Sequence, residues 1–136
     1  MIRAATEKEY SDILGKVGGD YAAPICIVDE ENGELQAAVI VEHYTGSSCS
    51  LHVWIKRMRL QFTCFIFKYI FVTLNCQRFS GIVPDDNLTA VAFNEKIGGE
   101  VEAVLKSAHP RGDILMFVHH KHTLKKYWSR DHGRKT

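Results

Sequence analysis

The 136-residue chain has no CxxC pair; its four cysteines, Cys26, Cys49, Cys64 and Cys76, fall singly. Scattered thiols argue against a disulfide framework and suit a reducing, cytoplasmic setting. The opening MIRAATEKEY holds no apolar h-region, so no secretory signal is expected. No apolar run reaches the roughly 20 residues that a membrane-spanning helix needs. The strongest, residues 60–74, is shorter and is broken by Gln61 and Lys68, which suits a core helix. Internal repeats, low-complexity stretches and linkers are also missing. What remains is one globular domain, 46% hydrophobic and 24% charged, able to bury a core.

Net charge is only +1, but it is uneven. Six Lys/Arg face a single Asp from residue 119 onward, while acidic residues outnumber basic ones before it. A mildly acidic body, residues 1–122, therefore precedes a basic tail, residues 123–136. The tail mixes its cations with Tyr127 and Trp128, a composition that also suits phosphate contact and base stacking. Basic ends are commonly just solvated, so nucleic acid is not an expected partner, and no membrane is expected either.

Hydrophobic periodicity and turn chemistry predict the order β-α-β-β-β-α-β-α-β-β. A short strand at 2–4 precedes a helix that Thr6 caps, with Glu9 completing a capping box, and that runs to about Val17. Strands are expected at 22–28 and 35–44, joined by a turn over Asp29-Glu30-Glu31-Asn32-Gly33, where Asn-Gly tolerates positive φ. A strand at 49–55 leads into a helix at 58–74 whose stripe is Met58, Phe62, Phe65, Ile66, Tyr69 and Val72. A strand at 78–83, an amphipathic helix at 88–97 and strands at 101–106 and 114–120 complete the chain. This order predicts a mixed sheet flanked by helices, with right-handed crossovers through the 58–74 and 88–97 helices.

Several residues carry a more specific resemblance. The opening Ile2-Arg3-Ala4-Ala5-Thr6, Asn87 followed by LTAVAFNEKIGG, and the closing VEAVLKSAHPRGDILMFVHHK resemble segments of the GNAT superfamily of acyl-CoA-dependent N-acetyltransferases. Trp54 with Arg57 resembles a Trp-x-x-Arg variant found in a partly phage-borne subgroup. The resemblance spans 1–122 and implies an α/β fold with a mixed, mostly antiparallel central sheet, flanked by helices and splayed between its central strands. It implies acetyl transfer from acetyl-CoA, as cosubstrate, to an amine acceptor. The sequence departs from the family pattern in three places. The stretch Ile55-Lys56-Arg57-Met58-Arg59 has no glycine where the pyrophosphate loop is expected. Phe93 stands where the family places a general-acid tyrosine. Gly99 replaces the aromatic that follows the family's closing glycine.

The resemblance places acetyl-CoA against Val53, Trp54, Lys56, Arg57, Arg59 and Asn87. Backbone N–H groups near Val53 and Trp54 would hold the thioester carbonyl. Lys56, Arg57 and Arg59 would replace glycine-loop amides at the pyrophosphate, since arginine binds phosphate bidentately. Asn87 is equally a good helix cap. His52, Glu42 and His43 are the candidate bases for deprotonating the amine. The acceptor pocket would involve residues 10–21. No metal is expected: His119 and His120 are strand neighbours on opposite faces, and His120 with His122 makes only two ligands. The missing glycines and tyrosine leave a second reading open, a GNAT-fold protein that binds and regulates a partner protein. A second copy of the chain is a further possible partner.

Overall fold

The computed structural model describes residues 1–17 and 25–130. Among them the elements are β1 (Ile2–Ala4), α1 (Glu7–Val17), β2 (Ile25–Glu31), β3 (Glu34–Glu42), β4 (Ser48–Ile55), α2 (Leu60–Lys68, continuing as a π-helical turn over Tyr69–Thr73), β5 (Arg78–Pro84), α3 (Leu88–Lys96), β6 (Glu100–His109), β7 (Gly112–His120) and α4 (Lys125–Trp128). The seven strands form one sheet in the order β1-β2-β3-β4-β5-β7-β6. Every neighbouring pair is antiparallel except β4 with β5.

Local chemistry sets several of these boundaries. Thr6 Oγ1 accepts from the Glu9 N–H at 3.2 Å, and Glu9 Oε1 accepts from the Thr6 N–H at 2.9 Å, the reciprocal capping box expected at α1. Asn32 (φ 54°) and Gly33 (φ 78°) both take the left-handed conformation, so the hairpin turn is just these two residues. Asp29, Glu30 and Glu31, expected in that turn, instead lengthen β2. Residues 22–24 of the strand expected at 22–28 lie outside the described residues.

The core lies mainly between the sheet and α2. Phe62, Ile66, Phe67, Ile70 and Phe71 pack on Ile27, Val39, Val41, Leu51 and Phe79, each contributing about 1.5–3 kcal/mol of burial. Two members of the expected stripe, Phe65 and Val72, point outward instead. The helix begins at Leu60, not at 58, and widens after Lys68, where the Leu74 N–H reaches back five residues to the Tyr69 carbonyl at 2.8 Å. Ile70 and Phe71 of that turn both enter the core, continuing the stripe of Thr63, Ile66 and Phe67.

A second correction concerns α3. It was expected to be amphipathic, yet it has no buried residue; only Ile97, just past its end, enters the core. Its crossover also skips a strand, because β7 lies between β5 and β6. Packing does not stop at residue 122. Leu124 is fully buried, Tyr127 meets Phe67 edge-on at 5.6 Å, and the Trp128 indole donates to the Lys121 carbonyl at 2.7 Å.

His119 explains one departure from the family pattern. It is buried, stacked on Phe79 at 4.7 Å, and Nε2 sits 2.8 Å from Asn94 Oδ1. Asn94 Nδ2 donates to the Ala90 carbonyl, so Oδ1 faces the imidazole and Nε2 carries the proton. A Cβ at Gly99 would fall 2.8 Å from both His119 Nε2 and the Asn94 carbonyl oxygen, so the ring occupies the space of the missing aromatic. Burial lowers the His119 pKa from the ordinary 6.5 to about 4. The unfolded chain therefore takes up a proton that the folded one refuses, and stability falls as pH drops from about 6.5 towards about 4. Urea unfolding between these pH values should show that loss, and His119→Gln should flatten the slope above the carboxylate range. An unchanged slope in the variant would show that His119 is not its source.

Candidate active site

The sheet opens in its middle. Strand β4 pairs with β3 along its length, from Glu42↔Ser50 to Ala37↔Ile55. With β5 it pairs only over Ser48↔Arg78, Cys49↔Phe79 and Ser50↔Ser80. Beyond that point β5 continues against β7 as far as Pro84, leaving a gap between the C-terminal halves of β4 and β5. This is the expected splay.

Strand alternation decides which amides face the gap. The Lys56 N–H donates to the Gln36 carbonyl at 2.8 Å, so even-numbered residues of β4 turn their backbone groups to β3. Consistently, the Leu51 carbonyl oxygen lies on the β5 side, 3.6 Å from where a Gly81 Cβ would sit. The Val53 and Ile55 backbone groups therefore face the gap, and the Trp54 amide does not. The Val53 and Ile55 side chains are half exposed, giving the gap an apolar wall on the α2 face.

The other face of the sheet is polar at the same level. Glu42, Ser50 and Ser80 stand in register across three strands, with Ser50 Oγ 3.4 Å from Ser80 Oγ. His52 lies one step along β4, and its Nε2 is 2.5 Å from Glu42 Oε1. Glu42 is only 7% exposed, so the imidazole partners a carboxylate with little access to water. His43 lies just past the end of β3 at φ 54°, exposed, with Nδ1 3.6 Å from Glu42. The structure thus brings all three candidate bases together, with Glu42 at their centre. The Trp54 ring is on this face too, packed near Ile13, Val28, Ala38 and Ile40 with Lys16 Nζ 4.9 Å from its centroid.

The three cations of the loop after β4 all meet carboxylates of the β2–β3 hairpin. Lys56 bonds Glu34, and both groups are exposed. Arg57 lies 3.7 Å from Glu31, a loose surface pair with the arginine 68% exposed. Arg59 differs: its guanidinium grips Asp29 with two hydrogen bonds, one of 2.7 Å from Nε, and Asp29 is fully buried. That partner raises the Arg59 pKa further. Arg59 is also the residue preceding the first turn of α2, so the pair fixes the start of this helix over β2. Sequence reading missed Asp29, although the alternation of Ile27 and Asp29 on one strand face put a carboxylate towards the core. The Lys56 and Arg57 N–H groups both donate to the Gln36 carbonyl, so these amides do not face outward as a glycine loop's would.

Asn87 caps α3: its Oδ1 accepts from the Ala90 N–H at 3.2 Å, which leaves the amide nitrogen able to donate elsewhere. Phe93 is partly exposed on α3. All four cysteines are free, and burial pushes the Cys49 thiol up to about 12. Among the described residues no group of three or more His, Cys, Asp or Glu is placed to hold a metal, and no helix is long and apolar enough to cross a membrane. Residues 18–21 of the expected acceptor region lie outside the described residues.

No protein-family model matches the chain, and no curated protein matches it by sequence. Solved structures do. The SpeG spermidine/spermine N-acetyltransferase from Vibrio cholerae in complex with manganese ions has a TM-score of 0.76 at 16% identity, covering 96% of this chain and 96% of that one. A SpeG chimera from Vibrio cholerae and hSSAT has a TM-score of 0.73 at 16% identity, covering 91% of this chain and 98% of that one. The Vibrio cholerae spermidine N-acetyltransferase in complex with CoA and spermine has a TM-score of 0.66 at 17% identity, covering 88% and 78%. The chain therefore has the fold of the GNAT N-acetyltransferases, as its ordered motifs implied.

The two kinds of ion pair make a stability prediction. Arg59→Ala takes both hydrogen bonds from a buried carboxylate, leaving it the Met1 ammonium at 3.9 Å, and should cost about 3 kcal/mol in urea unfolding. Lys56→Ala and Arg57→Ala, at exposed pairs, should each cost under about 1 kcal/mol. Equal losses at all three positions would contradict the assignment of Arg59 as the pin.

Proposed function

We propose that the chain is an acetyl-CoA-dependent N-acetyltransferase that acts on an amine by direct transfer in a ternary complex. One observation carries the reading: the Val53 amide faces the β4–β5 gap, and the Glu42–His52 pair lies at the same level on the other face of the sheet. When bound, acetyl-CoA supplies an activated acetyl thioester.

The chain's residues fit that group well at the reactive end. The Val53 N–H donates to the carbonyl oxygen, where negative charge grows as the amine attacks. The Glu42–His52 pair takes the amine's proton: the imidazole accepts it, and the Glu42 carboxylate, 2.5 Å away, holds the resulting charge. Ser50 and Ser80 line the approach and keep it polar. Phe93 cannot donate a proton, so water protonates the leaving thiolate, a demand softened by the modest basicity of thiols.

At the pyrophosphate the fit is by side chains. Lys56 and Arg57 stand at the mouth of the gap, and exchanging their exposed glutamate partners for phosphate costs little. Arg59 holds the loop in place from below through Asp29, and Asn87 can donate its amide to the pantetheine arm. Trp54 shapes the amine side of the gap. The alternative of a non-catalytic partner-binding protein draws no support from the structural neighbours, which are acetyltransferases. Because those neighbours act on spermidine and spermine, these polyamines are the first acceptors to assay.

Acetyl-CoA at millimolar concentration should raise the melting temperature, as mass action requires for a micromolar site. Arg57→Ala should weaken binding while leaving the unliganded protein stable. Where a turnover is found, His52→Ala and Glu42→Gln should each lower kcat by about 10²–10⁴-fold with acetyl-CoA affinity retained. The absence of any thermal shift would overturn the reading.

A further inference from the structure

Residues 120–128, basic and aromatic, do not belong to the gap, yet with Gln77 they form a site of their own. A cavity of about 400 Å³ lies where β5 begins and β7 ends, lined by Gln77, His120, Lys121, His122, Lys125 and Trp128. Arg78 pairs with both Ser48 and His120, so this is the N-terminal end of β4 and β5, opposite the splayed end. Its volume falls within the range of small-molecule sites.

Three features define what would fit. The lining includes two lysines and no carboxylate. Among the described residues neither Lys121 nor Lys125 has a carboxylate partner, and Lys121 Nζ lies 3.5 Å from Asn75 Oδ1. The nearby acid Glu102 is already gripped by Arg78 through two hydrogen bonds. The cavity also offers flat rings. The Trp128 indole is anchored by its bond to the Lys121 carbonyl, with Lys121 Nζ 5.6 Å from the ring centroid. His120 and His122 stack with centroids 5.6 Å apart and planes at 21°.

We propose that this cavity binds a nucleoside monophosphate, with the phosphate between Lys121 and Lys125 and the base against Trp128 and the imidazoles. Lysine serves phosphate as a point charge, and an aromatic platform accepts any base through stacking. Gln77 supplies an amide for the base edge or the ribose. Phosphate alone would leave the rings unused, and a nucleoside alone would leave the lysines uncompensated. The site is independent of the transferase reading, because it shares no residue with the gap.

Trp54 and Trp128 are the chain's two tryptophans, so Trp54→Phe makes Trp128 the sole indole reporter. Titration of this variant with AMP should quench its fluorescence with a dissociation constant below about 1 mM. Inorganic phosphate and adenosine should each bind at least about tenfold more weakly. Lys121→Gln with Lys125→Gln, in the same background, should weaken AMP by at least about tenfold, since both are surface positions that leave the fold intact. Calorimetry on the unaltered chain repeats the AMP measurement independently of the Trp54 change. The proposal is overturned by any of three results: no heat and no quenching with AMP, phosphate binding as tightly as AMP, or AMP affinity unchanged in the lysine variant.

Discussion

Strand β4 is held by β3 from Ser50 to its end at Ile55, and by β5 for only three residues. That unequal pairing is the constraint on which the rest of the molecule turns. An unpaired backbone edge inside a sheet is costly unless something bonds to it. The gap therefore presents an amide that can serve a ligand carbonyl without breaking any ladder bond. The same strand's alternation sends His52 to the opposite face from the apolar wall of Val53 and Ile55. One strand thus separates an apolar wall from a Glu–His pair, at a distance of a single residue.

Holding that gap open needs rigid borders. On the β3 side the hairpin carries Asp29, and the buried Asp29–Arg59 pair ties the start of α2 to the sheet just where β4 ends. On the β5 side α2 itself is clamped by Phe62, Phe67 and Phe71, with Tyr127 from the chain's end closing the cluster. The cluster of cations after β4 is thus divided in purpose. Arg59 is architectural, its charge balanced from within, while Lys56 and Arg57 remain at the surface with partners that are easily exchanged. A glycine loop would present its backbone amides outward; here both loop amides are spent on Gln36.

Much of this was legible in the sequence. Element order, the capping box at Thr6 and Glu9, the Asn32-Gly33 turn and the Asn87 cap follow from local chemistry, and the structure contains each. The splay was legible through the resemblance alone, since no periodicity encodes where two strands part. What escaped was tertiary. Asp29 and Arg59 are thirty residues apart, so nothing local announces their pair. The outward turn of Phe65 and Val72 is a matter of phase: the helix is apolar on both faces, so its pattern does not say which face packs on the sheet. Gly99 read as a lost aromatic, whereas a histidine from β7 fills the space.

The most direct test of this account is at the Val53 amide. In an amide-resolved NMR titration with acetyl-CoA, the Val53 N–H signal should move among the furthest in the chain. Shifts at Lys56 and Arg57 should accompany it, with little change at Trp54, whose N–H is committed to β3. A titration in which acetyl-CoA binds but leaves Val53 unmoved would contradict the claim that the gap between β4 and β5 is the acyl site.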